Sequence, residues 1–115
     1  MSTKVKVVSL TGEVVLSTLH EHRTQIAAAL EERSLVLLSL GLVEEIDLYG
    51  VQLLYAARRH ADGVGRELHL TGDVPEHVAR RLYEGGFVSA VVRDGRELET
   101  ALHEFGDAGS DDSDA

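Results

Sequence analysis

The sequence contains no cysteine. That excludes a disulfide framework, a thiolate nucleophile and any cysteine-based zinc site. Long apolar runs are also missing. Uninterrupted apolar stretches reach only a few residues, far short of the roughly 20 that a membrane helix needs. Cations are scarce: 11 Lys and Arg stand against 20 Asp and Glu, a formal charge of −9. Nonspecific binding to nucleic acid or to an anionic membrane needs clustered Lys and Arg, so neither is expected. The N-terminus alternates Lys and Val where a signal peptide would be continuously apolar. These absences leave a soluble cytoplasmic domain as the expectation.

The chain of 115 residues, 43% of them hydrophobic, is enough for one domain with its own core. Residues 1–105 are expected to form it. Residues 106–115 are Gly, Ser, Ala and Asp, including Asp107, Asp111, Asp112 and Asp114. Such a segment buries too little to order, so a disordered acidic tail is expected.

Lys4 to Leu10 alternates as a half-buried strand does. Thr11-Gly12-Glu13 reads as a tight turn, and Val14-Val15-Leu16 as a second short strand paired with the first. Thr18 and Glu21 have capping-box spacing. The helix they open buries Leu19, Ile26, Ala29 and Leu30 and ends near Arg33. Leu35 to Leu40 is almost wholly apolar, the mark of a strand covered on both faces. Gly41 to Ile46 is then the loop at its carboxyl end, and Asp47 the N-cap of a helix running to about Asp62. Gly50 lets that helix approach another backbone closely. Its buried face is Gly50, Leu54, Ala57, Ala61 and Val64, flanked by Val51 and Leu53. Tyr49, Gln52, Tyr55 or Ala56, and Arg59 continue the opposite face. Arg66 to Thr71 is a strand. Asp73-Val74-Pro75-Glu76 opens a helix burying Val78, Leu82 and Tyr83, which ends at Gly85-Gly86. Phe87 to Val92 is a short strand or an extended connection. Asp94 caps a last helix with Leu98, Ala101, Leu102 and Phe105 on one face.

Strands alternating with helices predict an α/β fold: a mixed, mainly parallel central sheet of four to five strands with about four helices. In such sheets the functional crevice lies beyond the carboxyl ends of the strands. The stretch from Gly41 to Gly50 is at such an end.

Catalytic signals are weak. His20 and His22 are two residues apart on a helix and face different directions, and no third ligand is near them in sequence, so no metal site is expected. Glu44, Glu45 and Asp47 offer paired carboxylates, but Asp47 is better explained as a cap and the glutamates as a solvated loop. Gly63-Val64-Gly65 precedes a strand and is no dinucleotide fingerprint. No phosphate loop and no nucleophile elbow are present. Neither catalysis nor a cofactor is expected. A binding role fits better, because tyrosine at an exposed helix start brings apolar area at low rotamer cost.

Thr11-Gly12-Glu13, the buried strand Leu35–Leu40, Ile46-Asp47-Leu48-Tyr49-Gly50-Val51, Arg66–Leu70 and the Pro75 helix ending in Gly85-Gly86-Phe87 together carry a resemblance. From about Val5 to Phe105 the chain resembles a STAS domain, the fold of the bacterial anti-sigma factor antagonists. The resemblance implies a noncatalytic regulator of transcription that works by partner switching. In the antagonists a serine or threonine just before the glycine of an Asp-Ser-Ser-Gly-like motif is phosphorylated by a partner kinase. The matching position here is Tyr49, preceded by Leu48, and a commonly acidic position on the buried strand is Ser39. The resemblance implies docking at this motif, and the departure at Leu48 and Tyr49 makes docking without serine phosphorylation the expectation. Glu44, Glu45, Asp47, Leu48, Tyr49, Gln52 and Arg59 would form the partner surface, and Asp47 and Gly50 its structural frame. The implied partner is an anti-sigma factor of the serine-kinase-like ATPase type; a homodimer stays open. The alternatives are an accessory subunit of an ABC-type transport ATPase and a nucleotide or small-molecule sensor using the Gly41–Asp47 loop.

Overall fold

The computed structural model describes residues 5–102. The expected domain boundary at 105, Phe105 and the acidic tail lie outside the described residues, as does Lys4. The order is β1 (Val5–Val14), a 3-10 turn at Leu16–Thr18, α1 (Leu19–Glu32), β2 (Leu35–Ile46), α2 (Leu48–Gly63), β3 (Glu67–Thr71) and α3 (Glu76–Glu84), followed by α4 over residues 95–102. The sheet has three strands in the order β1-β2-β3, and both pairings are parallel. It is therefore narrower than expected and, among the described residues, not mixed.

Three corrections follow, and the first and the last account for the smaller number of strands. The expected first hairpin is one strand. Thr11-Gly12-Glu13 does not reverse the chain: Thr11 pairs with Leu42, Gly12 with Val43 and Glu13 with Glu45, with register shifts between Ser9 and Thr11 and between Gly12 and Glu13. Gly12, at φ 73°, absorbs the irregularity that a residue with a Cβ would resist. The expected Gly41–Ile46 loop is likewise strand, because β1 runs on beside it and takes up its backbone groups. Residues 87–90 form bends and 91–93 no regular structure, so of the two expected forms the segment is a connection and not a strand. The chain then makes one antiparallel bridge, Asp73 to Asp94.

One face of the sheet is the core. Val8, Leu10 and Val14 of β1, Val36, Leu38 and Leu40 of β2, and Leu68 and Leu70 of β3 are all buried on it, with Ile26, Ala29 and Leu30 of α1 and Leu53, Leu54 and Ala57 of α2. Among the described residues no element covers the other face. Leu35, Leu37 and Ser39 are only half-buried, and Val7 is 58% exposed. The expectation that Leu35–Leu40 is covered on both faces is thus corrected. The run is apolar on both sides because neighbouring strands shield the central one, even where no second layer covers it.

Helix starts also depart from their expected caps. Thr18 makes no capping bond to α1; its hydroxyl turns to the end of β1. Pro75, not Asp73, stands at the N-cap of α3. Val64 is 52% exposed and Tyr83 47% exposed, so neither belongs to a buried stripe. Val64 lies just past the last turn of α2. The Asp94 cap is as read: Glu97 N–H donates to Asp94 Oδ1 at 2.9 Å and Arg93 N–H to Glu97 Oε1 at 2.7 Å.

β2 outruns β3, which pairs with it only as far as Ser39. α3 fills the edge left free beyond that point. His77 Nε2–H donates to the Glu44 carbonyl oxygen at 2.6 Å, and Arg81 pairs with Glu45.

Gly50 sets how α2 meets the sheet. A Cβ there would lie 2.1 Å from the Val14 carbonyl oxygen and 2.8 Å from Ile46 Cγ1. Gly50→Ala is expected to cost about 3 kcal/mol, as overpacking against backbone does, read by urea unfolding. Gly63→Ala, with nothing within 4 Å of the added methyl, should stay within about 1 kcal/mol of wild type. Equal midpoints for the two variants would refute this close approach.

Candidate functional site

The site is where β1 and β2 end together and α2 begins. Val14 and Ile46 are register partners. Asp47 follows in extended backbone, which frees its carboxylate from the strand and aims it at the next turn. Oδ1 accepts from Gly50 N–H at 2.9 Å, and Oδ2 accepts from Leu16 N–H at 3.1 Å. Its own N–H donates to the Val14 carbonyl at 3.4 Å. One carboxylate thereby caps α2 and ties it to the turn after β1. Its negative charge also lies at the positive end of the helix dipole.

The turn after β1 is held from beneath. Thr18 Oγ1 donates to the Glu13 carbonyl at 2.8 Å, with the Val15 carbonyl 3.1 Å away, and accepts from Val15 N–H at 3.0 Å. His22 Nε2–H donates to the same Glu13 carbonyl at 2.8 Å; a carbonyl only accepts, so Nε2 carries the proton. His22 is 7% exposed, while His20 is exposed. The two imidazoles are thus separated, as their spacing predicts.

This frame presents large apolar side chains to solvent. Leu16 is 58% exposed, Leu48 47% and Tyr49 43%. Tyr49 is therefore a surface residue; it does not fold back into the core. Gln52, one turn on, is exposed, as are Ala56 and Arg59 on the same face. Arg59 lies ten residues past Tyr49, about 15 Å along the helix, at the far end of the surface. Tyr55 turns the other way and packs against the core. Burial pushes its hydroxyl pKa up to about 12.

The carboxylates do not form an acid–base pair. Asp47 accepts from two backbone N–H groups, and Glu45 pairs with Arg81. Glu44 is exposed, and it is its carbonyl that His77 holds. The structure brings Asp47, Leu48, Tyr49 and Gly50, all named from the sequence, together with Leu16, Thr18 and His22. Sequence reading assigns Leu16 to a strand, Thr18 only to a cap of α1 and His22 only to a weighed metal site, and it does not name His77 and Arg81 for the site. Leu16 meets Asp47 across 31 residues, His77 meets Glu44 across 33 and Arg81 meets Glu45 across 36. No local pattern announces contacts of that range.

A family model described as "Mlab, STAS domain" matches residues 1–91, and the chain belongs to the STAS domain family. No curated protein matches the sequence. Among solved structures, the anti-sigma factor antagonist SpoIIAA in its unphosphorylated form is similar at 19% identity and a TM-score of 0.53, over 75% of this chain and 78% of that one. The Bacillus cell fate determinant SpoIIAA in its phosphorylated form gives 19% and 0.53, over 73% and 76%. A sulfate transporter family protein from Wolinella succinogenes gives 19% and 0.54, over 77% and 72%. At this identity these are likenesses of fold.

Asp47→Ala should destabilise the protein by about 1–2 kcal/mol, the usual cost of a lost N-cap. Asp47→Asn keeps one acceptor oxygen for two N–H donors and should fall between. Chemical denaturation of the three proteins orders them. An asparagine variant as stable as wild type would show that the Leu16 bond contributes nothing.

Proposed function

We propose that this STAS domain is a noncatalytic docking module. It engages a protein partner through the start of α2 and the adjoining turn, with Leu16, Leu48 and Tyr49 at the centre and Glu44, Glu45, Gln52 and Arg59 around them. The observation that carries this reading is the joint exposure of Leu16, Leu48 and Tyr49 on a junction whose backbone is fixed by Asp47. Exposed apolar groups on a rigid frame lose little entropy on binding, which is what an interface anchor requires. Leu48 and Tyr49 carry no aliphatic hydroxyl, so the surface works without serine or threonine phosphorylation at its centre.

In the first reading the partner is an anti-sigma factor of the serine-kinase-like ATPase type, and the chain acts in transcriptional partner switching in the bacterial cytoplasm. The fold likeness to SpoIIAA supports it. In the second reading the chain is an accessory subunit of a transport ATPase. The likeness to a sulfate transporter family protein favours that one. The sensor reading loses its footing: it needs a loop at Gly41–Asp47, and residues 41–46 are strand with the backbone paired to β1.

Affinity capture with wild type beside Tyr49→Lys tests the proposal. The variant should lose the partner while its melting temperature stays nearly unchanged, because exposed substitutions usually stay within about 0.5 kcal/mol. A large drop in thermal stability, or undiminished capture, overturns the docking role of Tyr49. A histidine-kinase-like ATPase in the eluate supports the first reading, and an ABC ATPase supports the second. Separately, incubation with a cognate serine kinase should leave residues 47–50 unmodified by mass spectrometry. Phosphate on Tyr49 would contradict a fixed surface.

A further inference from the structure

The free edge of β3 carries a second polar cluster, built from three elements and separate from the docking surface. Glu99 of α4 sends Oε1 to Leu70 N–H at 2.8 Å, and so stands where a fourth strand would put a carbonyl. Its Oε2 meets His69 Nδ1 at 2.7 Å and Arg58 Nη1 of α2 at 3.1 Å. His69 Nε2 lies 3.2 Å from Glu67 Oε1 on the same strand. The start of α4 rests directly on the strand backbone: a Cβ on Gly95 would lie 2.4 Å from Thr71 N. Between β3 and α4 runs a groove of about 650 Å³, lined by His69, Thr71, Asp73, Asp94, Arg96 and Glu99 among others.

An ionised carboxylate only accepts hydrogen bonds. His69 therefore faces an acceptor at each ring nitrogen. A neutral imidazole has a single N–H, so it must present a lone pair to one of the two carboxylates. Only the imidazolium donates to both. Arg58 beside Glu99 and Arg96 along the groove are the cations that oppose it, against the carboxylates of Glu99 and Glu67 in direct contact and those of Asp73 and Asp94 along the groove.

We propose that His69 is a proton-operated latch that fixes α4 to the free edge of β3. Protonated at both nitrogens, it ties Glu67 of the strand and Glu99 of the helix into one unit. Loss of the proton leaves one N–H to serve two carboxylates, loosens α4 and uncovers Leu70 N–H. The electrostatics agree in direction. The bond to Glu99 first, then that to Glu67, raises the His69 pKa above its ordinary 6.5, against desolvation and the charge of Arg58. A pKa raised in the folded state gives a contribution that is complete below 6.5 and is lost as pH rises through the folded-state value.

The test is a pH titration of the ¹⁵N-labelled full chain by NMR. Both His69 ring nitrogens should be protonated at the acid end of the titration, and the second proton should persist to a higher pH than on an ordinary imidazole. Protection of the Leu70 amide, corrected for intrinsic exchange, should fall severalfold as the His69 ring loses its proton, while amides at the centre of β2 stay constant. Glu67→Gln removes the second carboxylate from an exposed position and leaves the core untouched. A glutamine side chain can donate to a neutral ring nitrogen, so Leu70 protection should become independent of pH in that variant. Flat Leu70 protection across the His69 titration in wild type overturns the latch. So does the same pH dependence in Glu67→Gln.

Discussion

The close approach of α2 to the end of β1 is the constraint on which the rest of the molecule depends. Gly50 brings the helix backbone against the Val14 carbonyl at a separation that a side chain forbids. Asp47 then spends both carboxylate oxygens to hold it, one on the helix and one on the turn after β1. Packing and capping thus act on the same few atoms. Loss of either loosens the other, because the cap bond to Leu16 needs the distance that Gly50 permits.

The unequal lengths of the strands organise what surrounds this junction. β1 and β2 run on together beyond the point where β3 stops. The exposed edge of β2 would present backbone groups without partners, a liability in any sheet. α3 meets that need with side chains, His77 on a carbonyl and Arg81 on Glu45. Glu99 of α4 serves the edge of β3 in the same way, through Leu70 N–H. Helix side chains thus meet the edge of β2 beyond the end of β3 and, separately, the outer edge of β3. Among the described residues nothing covers the sheet face opposite the core, and Val7 is exposed on it.

The family gives the frame a context. STAS membership rests on the match over residues 1–91, and the solved likenesses span a sigma-factor regulator and a transporter family protein. The fold therefore does not choose a pathway. The side chains at the helix start are here Leu48 and Tyr49, apolar and exposed, next to Leu16.

Local chemistry determined much of this protein. The Asp47 cap, the close packing at Gly50, the paired bonds of Asp94 and Glu97, and most of the buried faces of α1 and α2 follow from residue type and helical period. The parallel α/β order follows from alternating strand and helix patterns. The number and extent of the strands did not follow. Thr11-Gly12-Glu13 has the composition of a turn, and only β2 lying alongside makes it strand. Gly41–Ile46 has the composition of a loop, and only β1 makes it sheet. Leu35–Leu40 is apolar on both sides, yet one side has no covering layer, because an apolar run does not reveal what shields it. The tertiary structure alone decided that Leu16 joins Asp47, that His22 supports the turn, and that His69 lies between two carboxylates. Each of these depends on backbone positions that the sheet brings together from distant parts of the chain, and a local pattern carries no information about them.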